Sequence, residues 1–174
     1  MRRALFLDRD GTIIEDRGYM RSPLDVALLP HAASVLAKLA AEGWLLIVVS
    51  NQSGVGSGLI SPDEMQQVQG RFLQVMREHH IPIADSYFCL HAKTESCLCR
   101  KPSAYFLYEA ARVHNIDLSA SFMIGDRDTD IKCGKKAGCA TIFLRNLMFS
   151  IEEDLPTYIA KDWLEIDRIL SGAR

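Results

Sequence analysis

Long apolar runs are missing from this 174-residue chain: the longest, Trp44 to Val49, has six residues, against the roughly 20 that a membrane helix requires. The start reads as no secretory leader. Met1-Arg2-Arg3 is basic, but the apolar run behind it, Ala4 to Leu7, stops at Asp8, too soon for a signal core. Charge of one sign is missing too. Lys+Arg 20 against Asp+Glu 22 leaves a net charge of -2, and no Lys/Arg run exceeds two residues, so a basic nucleic-acid surface is not expected. There is no internal repeat, low-complexity tract or interdomain linker. Five cysteines, an odd number, do not close a disulfide framework. These absences point to one cytoplasmic domain over residues 1–174, expected to be monomeric, with neither membrane nor nucleic acid as partner. With 48% hydrophobic residues, a chain of this size buries roughly 70% of its unfolded surface and needs no covalent staple.

Short apolar runs of strand length alternate with longer segments of helical period. This is the pattern of an α/β protein with an open, mostly parallel, Rossmann-like sheet covered by helices on both faces. The expected strands are Ala4 to Asp8, Trp44 to Ser50, Ser86 to Leu90, Phe122 to Ile124 and Ala140 to Leu144, with Tyr158 to Ala160 as an edge. Helices are expected over Ala32 to Ala41, from Ser61 to about His79, Ser103 to His114, Asp128 to Ala137 and Trp163 to Leu170. Ser61-Pro62-Asp63-Glu64 opens its helix with a capping serine, a proline at the first position and acids at the positive end of the dipole.

In an open parallel sheet, ligands bind beyond the carboxyl ends of the strands. The first strand ends in Asp8-Arg9-Asp10-Gly11-Thr12, the second in Ser50-Asn51-Gln52 and the fourth in Gly125-Asp126-Arg127-Asp128-Thr129-Asp130. Any one of these alone would be an ordinary turn. Together they bring carboxylates from two strands to one crevice, where acids repel one another unless a cation joins them, and hard oxygen ligands suit Mg²⁺. Asp8 is placed as a nucleophile, and Asp10, two residues on, as a group able to give and take a proton. Gly11 lets the chain turn away, and Thr12 is expected to hydrogen-bond within that turn. Ser50 and Asn51 offer neutral donors for phosphate oxygens, and Arg100-Lys101 offers charged ones. Gly54-Val55-Gly56-Ser57-Gly58 has neither dinucleotide-binding nor P-loop spacing and reads as a flexible loop beside the site.

Cys89-Leu90-His91, five further residues, then Cys97-Leu98-Cys99 supply four soft or borderline ligands within eleven residues. That donor set matches a closed, structural Zn²⁺ site around a polar loop, stapling the segment that presents Arg100 and Lys101. Buried thiols beside a surface histidine are the alternative. Cys133 and Cys139 read as small buried residues.

The strand-end residues resemble the haloacid dehalogenase superfamily of aspartyl-phosphate phosphatases over almost the whole chain. Asp8 to Thr12 is similar to its first motif, Ser50-Asn51-Gln52 to the second, Lys101 to the third, and Gly125-Asp126 through Asp130 to the fourth. About forty residues separate Asp10 from Ser50, which leaves no room for a helical cap. The resemblance implies a capless, Mg²⁺-dependent hydrolase of small phosphorylated sugars. Asp8 would be the nucleophile and Asp10 the general acid and base. Mg²⁺ would be held by Asp8, the Asp10 carbonyl and Asp126, with Asp130 or Arg127 behind them. Ser50, Asn51 and Lys101 would hold phosphoryl oxygens, and Arg100 and Arg127 would contact substrate. Removal of the 7-phosphate from a heptose 1,7-bisphosphate is the first expectation; hydrolysis of histidinol phosphate and a non-catalytic, zinc-stapled binding module are the alternatives.

Overall fold

A computed structural model describes residues 1–151 and 156–172. Its strands are β1 (Ala4–Leu7), β2 (Leu45–Asn51), β3 (Ile83–Cys89), β4 (Phe122–Gly125), β5 (Ala140–Leu144) and β6 (Tyr158–Ala160). Its α-helices are α1 (Ala32–Ala41), α2 (Ser53–Gly56), α3 (Pro62–Glu78), α4 (Tyr105–His114), α5 (Asp128–Ala137) and α6 (Trp163–Gly172). The strands form one parallel sheet in the order β3-β2-β1-β4-β5-β6. The order reverses between β1 and β4, and there the crossovers diverge to leave a crevice at the carboxyl edge.

Alternation along the strands divides the core in two. Leu5 and Leu7, with Leu46 and Val48, join Val35, Leu36 and Leu39 of α1, Phe72 and Met76 of α3, and Trp163 and Ile166 of α6. Ala4, Phe6, Ile47 and Val49 point the other way, against Leu107 and Ala110 of α4 and Cys133 and Ala137 of α5. Because side chains alternate with a period of two, each inner strand needs apolar residues at every position. The capping box of α3 forms as expected. Ser61 Oγ accepts from the Glu64 N–H at 3.1 Å, while Glu64 Oε2 accepts from the Ser61 N–H at 2.7 Å.

Three expectations are corrected. The third strand runs from Ile83 to Cys89 rather than Ser86 to Leu90, because main-chain pairing with β2 takes in Ile83 and Asp85, with the register shifting past Ala84 between them, in a half-exposed edge strand. Gly54 to Gly58 is not a flexible loop: Ser53–Gly56 is a helical turn. Gly56 packs so closely on the zinc-candidate loop that a Cβ there would lie 2.2 Å from the Ala92 nitrogen. The Thr12 hydroxyl is buried without a partner. Backbone bonds close its turn instead, from the Thr12, Ile13 and Ile14 N–H groups to the Arg9 carbonyl at 3.4, 2.9 and 3.1 Å.

Candidate active site

β1 ends one residue before Asp8, and β4 ends one residue before Asp126, so the two carboxylates stand on adjacent strand ends. Gly11 makes this approach possible. Its φ is +81°, and a Cβ there would come within 2.3 Å of Asp126 Oδ2. Asp130, in the first turn of α5, completes a trio with one oxygen from each residue within 4.8 Å of the others. All three are buried.

Lys101 enters this trio from the far side. Its ammonium is 2.8 Å from Asp8 Oδ1, 2.7 Å from Asp130 Oδ1 and 2.6 Å from the Val49 carbonyl. Burial disfavours its charge, but Asp130 and Asp8 more than offset that and hold the ammonium above the usual lysine range. Asn51 fixes Lys101 through the main chain: Asn51 Nδ2 donates to the Lys101 carbonyl and Oδ1 accepts its N–H, both at 3.1 Å. The sequence pointed Asn51 at phosphate oxygens; the fold engages its amide with the main chain of Lys101. The Ser50 hydroxyl accepts from Gln52 Nε2 at 2.9 Å and lines the cavity.

One cation among three acids leaves the cluster negative. Burial, and then the charges of Asp8 and Asp130, push Asp126 up to about 8. Its Oδ1 is buried with no partner, while Oδ2 accepts from Asn146 Nδ2 at 2.9 Å. An orphaned carboxylate oxygen among hard oxygen donors fits a divalent cation such as Mg²⁺. Asp130 is already engaged, with Lys101 and with the Arg127 N–H at 3.1 Å.

Asp10 turns to the other wall, where its carboxylate meets the Arg9 guanidinium at 3.1 Å and Gln52 Nε2 at 2.6 Å. Burial pushes its pKa above the ordinary carboxylate value, the Arg9 charge opposing and the Asp8 charge adding. Above the acids lies a cavity of about 740 Å³, lined among others by Asp16, Tyr19, Lys93, Arg100 and Arg127. Arg127 pairs with Asp16 at 2.7 Å and stacks 4.4 Å from the Phe149 ring. Arg100 lines the cavity, yet its terminal nitrogens donate to the carbonyls of His91, Ala92 and Lys93. It therefore holds the loop in shape.

That loop carries Cys89, His91, Cys97 and Cys99, with ligand atoms within 4.8 Å of one another. Cys89 Sγ is 3.6 Å from Cys97 Sγ and 3.6 Å from His91 Nδ1, and Cys99 Sγ is 3.4 Å from His91 Nδ1. Sulfurs about 2.3 Å from a tetrahedral zinc stand roughly 3.8 Å apart, so the donors fit that ion. Cys133 and Cys139 are different. Burial pushes both thiols up to about 12, as in inert core residues.

The sequence did not single out Arg9, Gln52, Gln69 or Asn146. Asn146 lies two residues beyond β5, so the rule that sites gather at strand ends could have found it. Arg9 and Gln52 also stand at strand ends, but nothing there gave their partners, and Gln69, inside α3, carried no such signal.

A crevice of acids at the reversal of a parallel sheet, entered by one buried lysine, is an arrangement suited to phosphoryl transfer. A family model described as HAD-hydrolase-like matches residues 98–166. A D-glycero-beta-D-manno-heptose-1,7-bisphosphate 7-phosphatase from Helicobacter pylori is 34% identical over 157 residues, covering 89% of this chain and 87% of the relative. The chain belongs to the HAD-like hydrolase family and is one of its phosphatases. An enzyme of the same name from Pasteurella multocida is 30% identical over the whole of both chains. The D,D-heptose 1,7-bisphosphate phosphatase of B. bronchiseptica, solved with magnesium and phosphate, superposes with a TM-score of 0.87 over 99% of each chain, at 23% identity.

Proposed function

We propose that this phosphatase removes the 7-phosphate of D-glycero-D-manno-heptose 1,7-bisphosphate through an aspartyl-phosphate on Asp8. The buried set of Asp8, Asp126, Asp130 and Lys101 under an open cavity carries the chemistry. The names of the Helicobacter and Pasteurella relatives carry the substrate. The same reading makes residues 1–174 one cytoplasmic, monomeric domain with a structural zinc, and no described helix is long and apolar enough to cross a membrane.

A carboxylate oxygen of Asp8 attacks phosphorus, and the bond from phosphorus to the sugar oxygen breaks. Asp10 gives its proton to the departing alkoxide. In the second half, Asp10 takes a proton from water, the resulting hydroxide attacks phosphorus, and the bond to Asp8 breaks to release inorganic phosphate. Asp8, Asp126 and the Asp10 carbonyl would hold Mg²⁺, which supplies charge to offset the phosphoryl oxygens. Lys101 and the Ser50 hydroxyl face those oxygens, while Asn51 keeps Lys101 in place. Arg127 and Arg100 shape the cavity around the rest of the sugar.

The test is phosphate release with Mg²⁺ from both anomers of the heptose bisphosphate and from histidinol phosphate, with Asp8→Asn as blank. A strong preference for a heptose bisphosphate is expected. Preference for histidinol phosphate would replace the substrate. Release from none, or an Asp8→Asn variant with more than a few per cent of wild-type turnover, would overturn the mechanism.

A further inference from the structure

Arg9 is the largest charged side chain buried in the described structure, 1% exposed, and the reaction above gives it no part. Its Nε and Nη2 face the Asp10 carboxylate side-on, at 3.2 and 3.1 Å from Oδ2 and 3.3 Å each from Oδ1. Nη1 points away and donates to Gln69 Oε1 of α3 at 3.1 Å. The guanidinium carbon lies 5.7 Å from the Phe88 ring centre on β3. Gln69 also reaches that strand, donating from Nε2 to Ser86 Oγ at 3.4 Å. Arg9 is therefore flanked by a helix, by β3 two strands away and by its own carboxylate partner.

This arrangement does more than neutralise charge. The separations exceed the 2.7–2.9 Å usual for a charge-assisted pair, so the fork orients the carboxylate without drawing it into tight contact. With both oxygens engaged on one edge, and Oδ2 also accepting from Gln52 at 2.6 Å, the Asp10 plane cannot rotate freely. Asp10 nonetheless lines the cavity, so the clamped carboxylate borders the space a substrate would take. Arg9 itself does not line that cavity, so it acts through Asp10.

We propose that Arg9, anchored by Gln69, is a positioning residue that clamps the Asp10 carboxylate in the orientation that delivers a proton to the leaving oxygen. The inference rests on Asp10 being the general acid. It requires a planar, two-edged cation: one edge for Asp10 and a further nitrogen for Gln69. Lysine supplies charge without that geometry.

The readout is leaving-group dependence. A sugar or glycerol alkoxide needs a proton to depart, whereas p-nitrophenolate does not. Wild type, Arg9→Lys and Gln69→Leu are compared with the heptose bisphosphate, glycerol 3-phosphate and p-nitrophenyl phosphate, with Mg²⁺ present and folding checked by circular dichroism and melting. For Arg9→Lys, kcat on the alkyl esters is expected to fall about 100-fold with KM within about two-fold, while the first-turnover burst of p-nitrophenol stays within about three-fold. Gln69→Leu should give the same split at about ten-fold, which keeps the test alive if the Arg9 variant is unstable. Equal losses on alkyl and aryl esters, or no loss on either, would overturn the proposal. Wild-type protein that ignores the heptose bisphosphate yet hydrolyses glycerol 3-phosphate would end only the substrate reading, and the alkyl-to-aryl comparison would still decide the clamp. Wild type without activity on any ester would end both.

Discussion

Lys101 shows how much one side chain can hold. It is 3% exposed and is the buried cation in direct contact with both Asp8 and Asp130. Lys101→Met keeps the length and removes the charge, leaving two buried carboxylates without that partner. Breaking a buried pair in this way costs about 3–5 kcal/mol. Urea unfolding of metal-free protein should show a loss of that size, together with loss of phosphate release. A change below about 1 kcal/mol would mean that the acids are compensated by something other than Lys101. The sequence marked Lys101 as a cation at the site. Its two aspartate contacts were not legible there, because Asp8 lies 93 positions away and no local pattern links them.

At the scale of elements, α3 and the cysteine loop behave differently. The α3 capping box is local and exposed, remote from the acid cluster. Ser61→Ala should cost about 1 kcal/mol by chemical unfolding and leave kcat within about two-fold. A large fall in kcat would show that α3 carries more of the site than its anchoring of Arg9. The loop from Cys89 to Cys99 is short of regular structure; Arg100 donates to its carbonyls, and its four Cys/His ligand atoms lie within 4.8 Å of one another. Zinc analysis should find about one ion per chain. Cys99→Ser should lower that content and reduce activity, since Lys101 follows two residues later, while the sheet keeps its circular dichroism signal. Full activity without bound zinc would show that the loop is held by its hydrogen bonds alone.

For the whole molecule, the acid cluster couples stability to pH and to cation. Burial and neighbouring charge raise Asp126 to about 8, and burial raises Asp10 as well, from unfolded values near 4. Between those limits the metal-free native state binds more protons than the unfolded chain, so its stability falls as pH rises. The melting temperature of metal-free protein should therefore drop from about pH 5 to pH 8. Saturating Mg²⁺ should raise it most at the upper end, because a cation favours the ionised carboxylates. A slope unaffected by Mg²⁺ would show that the cluster does not take the ion.

The sequence by itself determined the alternation of strands and helices, the two-sided sheet, the acids at the strand ends and the Cys/His cluster. Each rests on short-range periodicity or on residue type, and both survive without knowledge of the fold. The tertiary structure decided the rest. It separated Asp126, whose Oδ1 is without a partner, from Asp130, whose Oδ1 lies 2.7 Å from the Lys101 ammonium. It turned Asn51 toward the Lys101 backbone and Arg100 into its own loop, and it brought Gln69 of α3 against Arg9. Hydrogen-bond partners are chosen by distance in space, and the fold joins residues that the chain keeps 50 to 93 positions apart.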